Sequence, residues 1–212
     1  MRVWATLLVL LLLVPVLCQA QDPDWPEPAW RPLYTEAMTN EMVRRLIVGY
    51  EDFNVRPEQI CSRYEWAAVV SRLVWFFHLP LPVEARRPPD VPWQHWAEDA
   101  TRVLVASGIY PGPPDTRFCG DKPLTRAQFA WMFANLFRTV KGEKYLRHPM
   151  SDMEYLYTQA AEMLRAEDLM IGYPDGKMHL DKPITRWQVC LAVSRLLVWS
   201  EQHLPQQHID EP

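Results

Sequence analysis

Three arginines stand in one register. Arg63, Arg126 and Arg186 each follow a hydroxyl residue and come two positions before a Glu or Gln, in Ser62-Arg-Tyr-Glu65, Thr125-Arg-Ala-Gln128 and Thr185-Arg-Trp-Gln188. Ser/Thr-x-x-Glu/Gln is a capping box, in which hydroxyl and side-chain carbonyl satisfy each other's backbone amides at a helix start. That accounts for Ser62, Thr125, Thr185 and their partners, but not for the arginine. At the first helical position the dipole disfavours a cation by ~0.3–1 kcal/mol. Two chemistries would offset this. An acid lies five residues upstream each time, Glu58, Asp121 and Asp181, and a loop-to-helix salt bridge would hold the guanidinium. Alternatively, free amides at a helix start plus a guanidinium form a carboxylate or phosphate site. Both readings stand, and the acid could orient the Arg for an anion. Tyr64 and Trp187 sit beside the Arg, off the apolar stripe, where a flat ring could stack on a sugar. Ala127 takes that place in the second motif, so its groove is poorer.

The elements that position these residues are repeated. Aligning Arg126 on Arg186 brings Gly112, Pro114, Asp115, Asp121, Lys122 and Pro123 onto Gly172, Pro174, Asp175, Asp181, Lys182 and Pro183. A third, degraded copy places Gly49, Tyr50, Asp52 and Glu58 on Gly172, Tyr173, Asp175 and Asp181. After each loop an amphipathic helix carries one stripe: Trp66, Ala67, Val70, Leu73 and Val74; Phe129, Ala130, Phe133, Leu136 and Phe137; Val189, Cys190, Val193, Leu196 and Leu197. Helices before the loops show Trp96, Ala100, Val103 and Leu104 in copy two and Leu156, Ala160, Met163 and Leu164 in copy three. In copy one Leu33, Ala37 and Met38 keep the register, but Glu41 falls where Leu is expected, which suggests a one-residue slip. A lone helix pair cannot bury its stripe, whereas three can bury theirs together. The fold expected is mainly α, with three helix-loop-helix repeats (33–79, 90–140 and 150–199) in a pseudo-threefold bundle. Residues 78–92 and 142–150 read as connectors, residues 21–32 as a Pro-rich end and 200–212 as a polar tail.

Composition narrows the function. Residues 1–20 have a basic Arg2, an apolar run and small residues before Gln21, the pattern of a secretory signal peptide. The chain carries 22 basic and 26 acidic side chains, and losing Arg2 with that segment moves the net charge from −4 to −5. Such a balance gives no overall pull toward nucleic acid or anionic lipid. No second long apolar run follows, so no membrane span is expected in the mature chain. Cys61, Cys119 and Cys190 are odd in number and fit no zinc or redox spacing, and Cys190, on an apolar helix face, reads as a small buried hydrophobe rather than part of a disulfide framework. The six His are scattered. No cofactor, metal or catalytic residue is expected. The adjacent acids Glu98 and Asp99 read as a solvated helix face rather than the facing carboxylates that glycoside hydrolysis needs.

"DVPWQHWAEDA" (90–100) with "LTRAQFA" (124–130), "GYPDG" with "ITRWQ" in copy three, and "GY" with "SRYEWA" in copy one resemble the S-layer homology (SLH) family of bacterial envelope proteins. The resemblance spans roughly residues 33–199. It implies a central helical bundle with grooves between repeats, and contact of the motif Arg with an acidic, often pyruvylated, wall polysaccharide or peptidoglycan-linked polymer. By position that assigns ligand binding to Arg63, Arg126 and Arg186. The motif Glu survives only as Glu65, and copy one lacks the turn Gly, so its groove is expected to be the poorest. The function expected is a secreted, non-catalytic protein of the bacterial cell envelope binding anionic wall glycan. The alternative is a structural adaptor that binds another envelope protein and whose arginines only brace the loops.

Overall fold

The computed structural model describes residues 27–81, 84, 86–110, 117–143 and 153–205. The segment read as a signal peptide, the copy-two turn at Gly112-Pro-Pro-Asp115, most of the second connector and the chain end from 206 lie outside the described residues. Among the described residues seven helices follow one another: α1 (Glu27–Ala37), α2 (Glu41–Leu46), α3 (Arg63–Phe76), α4 (Glu98–Ala106), α5 (Arg126–Val140), α6 (Met153–Ala166) and α7 (Arg186–His203). Extended pairing among the described residues is limited to three isolated bridges, so the fold is mainly α.

Three of the helices, α3, α5 and α7, carry the apolar stripes read from the sequence, and all fifteen stripe residues are buried. Each large aliphatic or aromatic among them contributes ~1.5–3 kcal/mol by leaving water. Trp66 meets Phe129 edge-on at 4.8 Å, and Phe129 stacks on Phe133 at 5.2 Å. Packing passes from copy to copy: α3 lies on α4, α5 on α6, and α7 returns to α1. The second helix of each copy thus covers the first helix of the next.

The residues before the three caps close a hydrogen-bonded ring. The Cys61 amide donates to the Ile184 carbonyl, Ile184 to Leu124 and Leu124 to Cys61, each at 2.9 Å. All three side chains are buried. Buried backbone groups need partners, and here each copy supplies its neighbour's.

Four expectations change. Copy one's first helix contains no slip but a break: Asn40 caps α2 by accepting from Met42 N at 2.9 Å and Val43 N at 3.4 Å. Val43 and Leu46 then take up the core positions, and Glu41 stays exposed in the first turn. Helix α1 begins within the stretch read as a Pro-rich end and buries Trp30. The helix α7 runs to His203 and buries Ser200, so the tail starts later than residue 200. Trp96, placed by periodicity on a core face, is 64% exposed. The reason is that α4 starts only at Glu98, and a 3.6-residue period does not extend into the turn before it.

Candidate ligand-binding cleft

The capping boxes form as read. Glu65 N donates to Ser62 Oγ at 3.2 Å, and Ser62 N to Glu65 Oε2 at 2.6 Å. In the second box Gln128 N donates to Thr125 Oγ1 at 3.2 Å. In the third, Thr185 N donates to Gln188 Oε1 at 3.2 Å, and the Thr185 hydroxyl faces the Gln188 amide.

The amides expected to receive an anion have other partners. At the first helical position Arg63 N donates to Lys122 O, Arg126 N to Lys182 O and Arg186 N to Gln59 O, at 3.2, 2.8 and 2.9 Å. At the second, Tyr64 N donates to Gly120 O, Ala127 N to Leu180 O and Trp187 N to Pro57 O, at 3.0, 2.9 and 2.8 Å. Each helix start is therefore filled by the loop of the next copy.

The guanidinium groups reach the same loops. Arg186 donates from Nε to Val55 O at 2.6 Å, from Nη2 to Val48 O at 3.1 Å and from Nη1 to Glu65 Oε1 at 2.8 Å. Its carboxylate partner is Glu65 of copy one, not Asp181 five residues upstream. Arg126 donates from Nε to Met178 O at 2.7 Å and from Nη2 to Ile171 O at 2.8 Å, lying over the Tyr173 ring. Arg63 donates from Nη1 to Phe118 O at 3.0 Å. Arg126 and Arg186 are 1% and 6% exposed. Hydrogen bonds to a charged donor contribute ~1.5–3 kcal/mol each, enough to outweigh the unfavourable dipole at the first helical position.

Tyr64 and Trp187 are wedges between copies. Trp187 does stack, but on Trp30 of α1, at 5.5 Å with the rings 13° apart, and it is 1% exposed. Tyr64 packs on His95 at 4.3 Å and Phe118 at 5.7 Å. A Cβ on Gly120 would lie 2.1 Å from the Tyr64 ring, so this ring needs glycine opposite it. Burial, then the nearby acids Asp121 and Asp90, pushes the Tyr64 phenol up. A stripe count within one helix cannot register such rings, because the surface that buries them belongs to the next copy.

One open cavity of about 850 Å³ lies beside copy one, where the poorest groove was expected. Arg186, Glu65 and Tyr64 line it together with Tyr50, Arg56, Arg72, Trp96 and Asp121. Glu65 accepts from Arg186, from Ser62 N and from the Tyr50 hydroxyl. Burial, then the bond to Glu65, drives the Tyr50 phenol upward, so it remains a donor. Arg56 is exposed, 4.1 Å from the Tyr50 ring centroid and 3.2 Å from Asp52. Arg72 donates to Leu46 O at 3.1 Å. Sequence reasoning missed Arg56, Arg72 and Trp96, whose only signal was proximity to the hinge loop and to the "HW" pair. Arg126 and Trp187 lie away from this cleft.

Other acids and thiols are structural. Asp90 accepts from Phe118 N and Cys119 N, both at 2.7 Å, tying the opening of copy two to its loop. Glu98 is not a solvated residue: it is 8% exposed and pairs with Arg102 at 2.6 Å. Cys61, Cys119 and Cys190 are unpaired thiols. Burial pushes the Cys190 thiol up to about 12. Among the described residues no three His, Cys, Asp or Glu gather as metal ligands.

Residues 93–130 match the sequence profile of the S-layer homology domain. The chain carries an S-layer homology domain. It is 27% identical over 164 residues to Cell surface glycoprotein 1 of Acetivibrio thermocellus, covering 73% of this chain and 7% of that protein. It is 37% identical over 78 residues to Outer membrane protein SlpA of Thermus thermophilus, covering 37% of this chain and 8% of SlpA. It is 25% identical over 154 residues to the Cellulosome-anchoring protein of A. thermocellus, covering 70% of this chain and 34% of that protein. The chain thus spans a minor part of each relative's length. It is a cell-envelope-associated protein bearing an S-layer homology domain. Among its described residues no helix is long and apolar enough to cross a membrane.

Proposed function

We propose that the chain is a non-catalytic cell-envelope protein that binds anionic cell-wall polysaccharide in the cleft beside copy one, within a pseudo-threefold set of three SLH repeats. The cleft carries this reading. It combines an exposed indole, Trp96, with the exposed cation Arg56 and a floor of bonded polar groups. A carboxylate on a sugar, such as a pyruvyl ketal, suits Arg56, whose exposed pair with Asp52 is worth little and yields readily. Arg186 has donated three of its five N–H groups to the protein. It and Tyr64 form the floor, while Arg63 and Arg126 brace loops. Glu65 already accepts from Arg186, from Ser62 N and from the Tyr50 hydroxyl, so its oxygens are committed to the protein itself.

The bonding of all three arginines to backbone carbonyls favours a second reading, an envelope adaptor that binds another protein and leaves glycan alone. The two separate in a sedimentation assay with purified sacculi, intact and after acid extraction of the attached polymer. Glycan binding predicts that wild-type protein co-sediments only with intact sacculi and that Arg56→Ala and Trp96→Ala each lose about tenfold in affinity. Undiminished binding to extracted sacculi by all three proteins would sink the glycan reading.

A further inference from the structure

The turn that opens copy two, Trp93-Gln94-His95-Trp96, holds two indoles out to water, 70% and 64% exposed. Exposed apolar rings gathered in one short segment mark contact surfaces more often than single scattered ones do. This turn is not loose. Val91 before it and Ala97 after it are fully buried. Gln94 adopts the left-handed region at φ 61°, which non-glycine residues seldom occupy. Its amide is held at 2.7 Å by Glu98 Oε2, and Glu98 is fixed in turn by Arg102. The His95 ring packs on Tyr64, and its Nδ1 accepts from Ala97 N at 3.2 Å. Backbone strain that the surroundings over-determine in this way is a mark of a pre-organised site. Arg87, bonded to the Val91 carbonyl, lies over the Trp93 ring at 5.9 Å.

Trp96 walls the cleft, whereas Trp93 lies outside it on the same four-residue turn. We infer that this turn is an aromatic platform continuing the cleft, on which Trp93 stacks the sugar next to the one held beside Trp96. The ligand is then a stretch of polysaccharide at least two residues long, not a single acidic sugar. A rigid indole supplies a broad stacking face at little conformational cost. The inference rests on the glycan reading of the cleft and adds to it the length of the ligand.

Polymer released from purified sacculi by hydrofluoric acid and fractionated by length is the probe, with binding measured by titration calorimetry. The longer fractions should bind wild type more tightly than the single-repeat fraction. Trp93→Ala should lose about tenfold for the longer fractions and leave the shortest unchanged, with Trp93→Tyr recovering most of the loss. Trp96→Ala should weaken both. Equal affinity of wild type and Trp93→Ala for the longer fractions overturns the platform and leaves the cleft standing. Failure of wild type to bind any fraction overturns both.

Discussion

Glu65 is the one carboxylate among three capping boxes, and that single difference organises copy one. It closes its own helix start, takes the Arg186 guanidinium from copy three and accepts from Tyr50. Gln128 and Gln188 cap equally well, so the charge at position 65 is not needed for capping. Its role is to partner a guanidinium whose side chain is only 8% exposed. Replacing one member of a buried pair by a neutral group leaves the other charge poorly compensated. Glu65→Gln should keep the helix start and lose ~1–3 kcal/mol of stability, read as a lower midpoint in urea at unchanged slope. An unchanged midpoint would mean that the carbonyls of Val48 and Val55 suffice for Arg186.

At the scale of the element, the hinge loops of copies one and three are the same structure built from different residues. Tyr50 N donates to Asn54 O at 3.0 Å as Tyr173 N does to Lys177 O at 2.8 Å. Asp52 accepts from Asn54 N as Asp175 does from Lys177 N, at 3.0 and 2.9 Å. Where copy three has Gly176 at φ 81°, copy one has Phe53 at φ 59°, 95% exposed. The left-handed conformation costs a side-chain-bearing residue ~1–2 kcal/mol, and this ring regains nothing by burial. Phe53→Gly should therefore stabilise the fold by ~0.5–1 kcal/mol after glycine's larger unfolded-state entropy is counted. Calorimetry should show a melting point higher by about 2–4 °C per kcal/mol. A lower melting point would show that Phe53 holds a contact worth more than its strain. The loop's shape was legible in Gly49, Tyr50 and Asp52. That it survives without its turn glycine was not, because strain at one residue is outweighed by bonds spread over several.

At the scale of the molecule, the ring through Cys61, Leu124 and Ile184 ties the copies together, and the stripes of α3, α5 and α7 share one core cluster. Copies joined this way should open together. Cys61 and Cys190 are 2% and 0% exposed, in the ring and in a stripe, while Cys119 is half-buried. In a chain beginning at Gln21, a thiol reagent should label Cys119 quickly at pH 8. Cys61 and Cys190 should react slowly, at one common rate set by global unfolding. Distinct rates for these two would show copies that open independently.

The sequence by itself determined the mainly helical class, the three core stripes, the starts of α3, α5 and α7, and the hinge turns of copies one and three. Each of these depends on side-chain types within about one helical turn, where period, cap and turn chemistry act locally. Only the tertiary structure decided what the arginines and the second-position rings do. Their partners are carbonyls and rings of the next copy, dozens of residues or more away, and no local spacing reveals whether a guanidinium faces solvent or a neighbour's backbone. For the same reason Arg186 and Trp187 are shared between roles that looked alike in sequence: one lines the cleft with three bonds already made, the other is sealed under Trp30. The accessible chemistry passes to Arg56, Trp96 and Trp93, residues made available by where the helices begin and how the copies close.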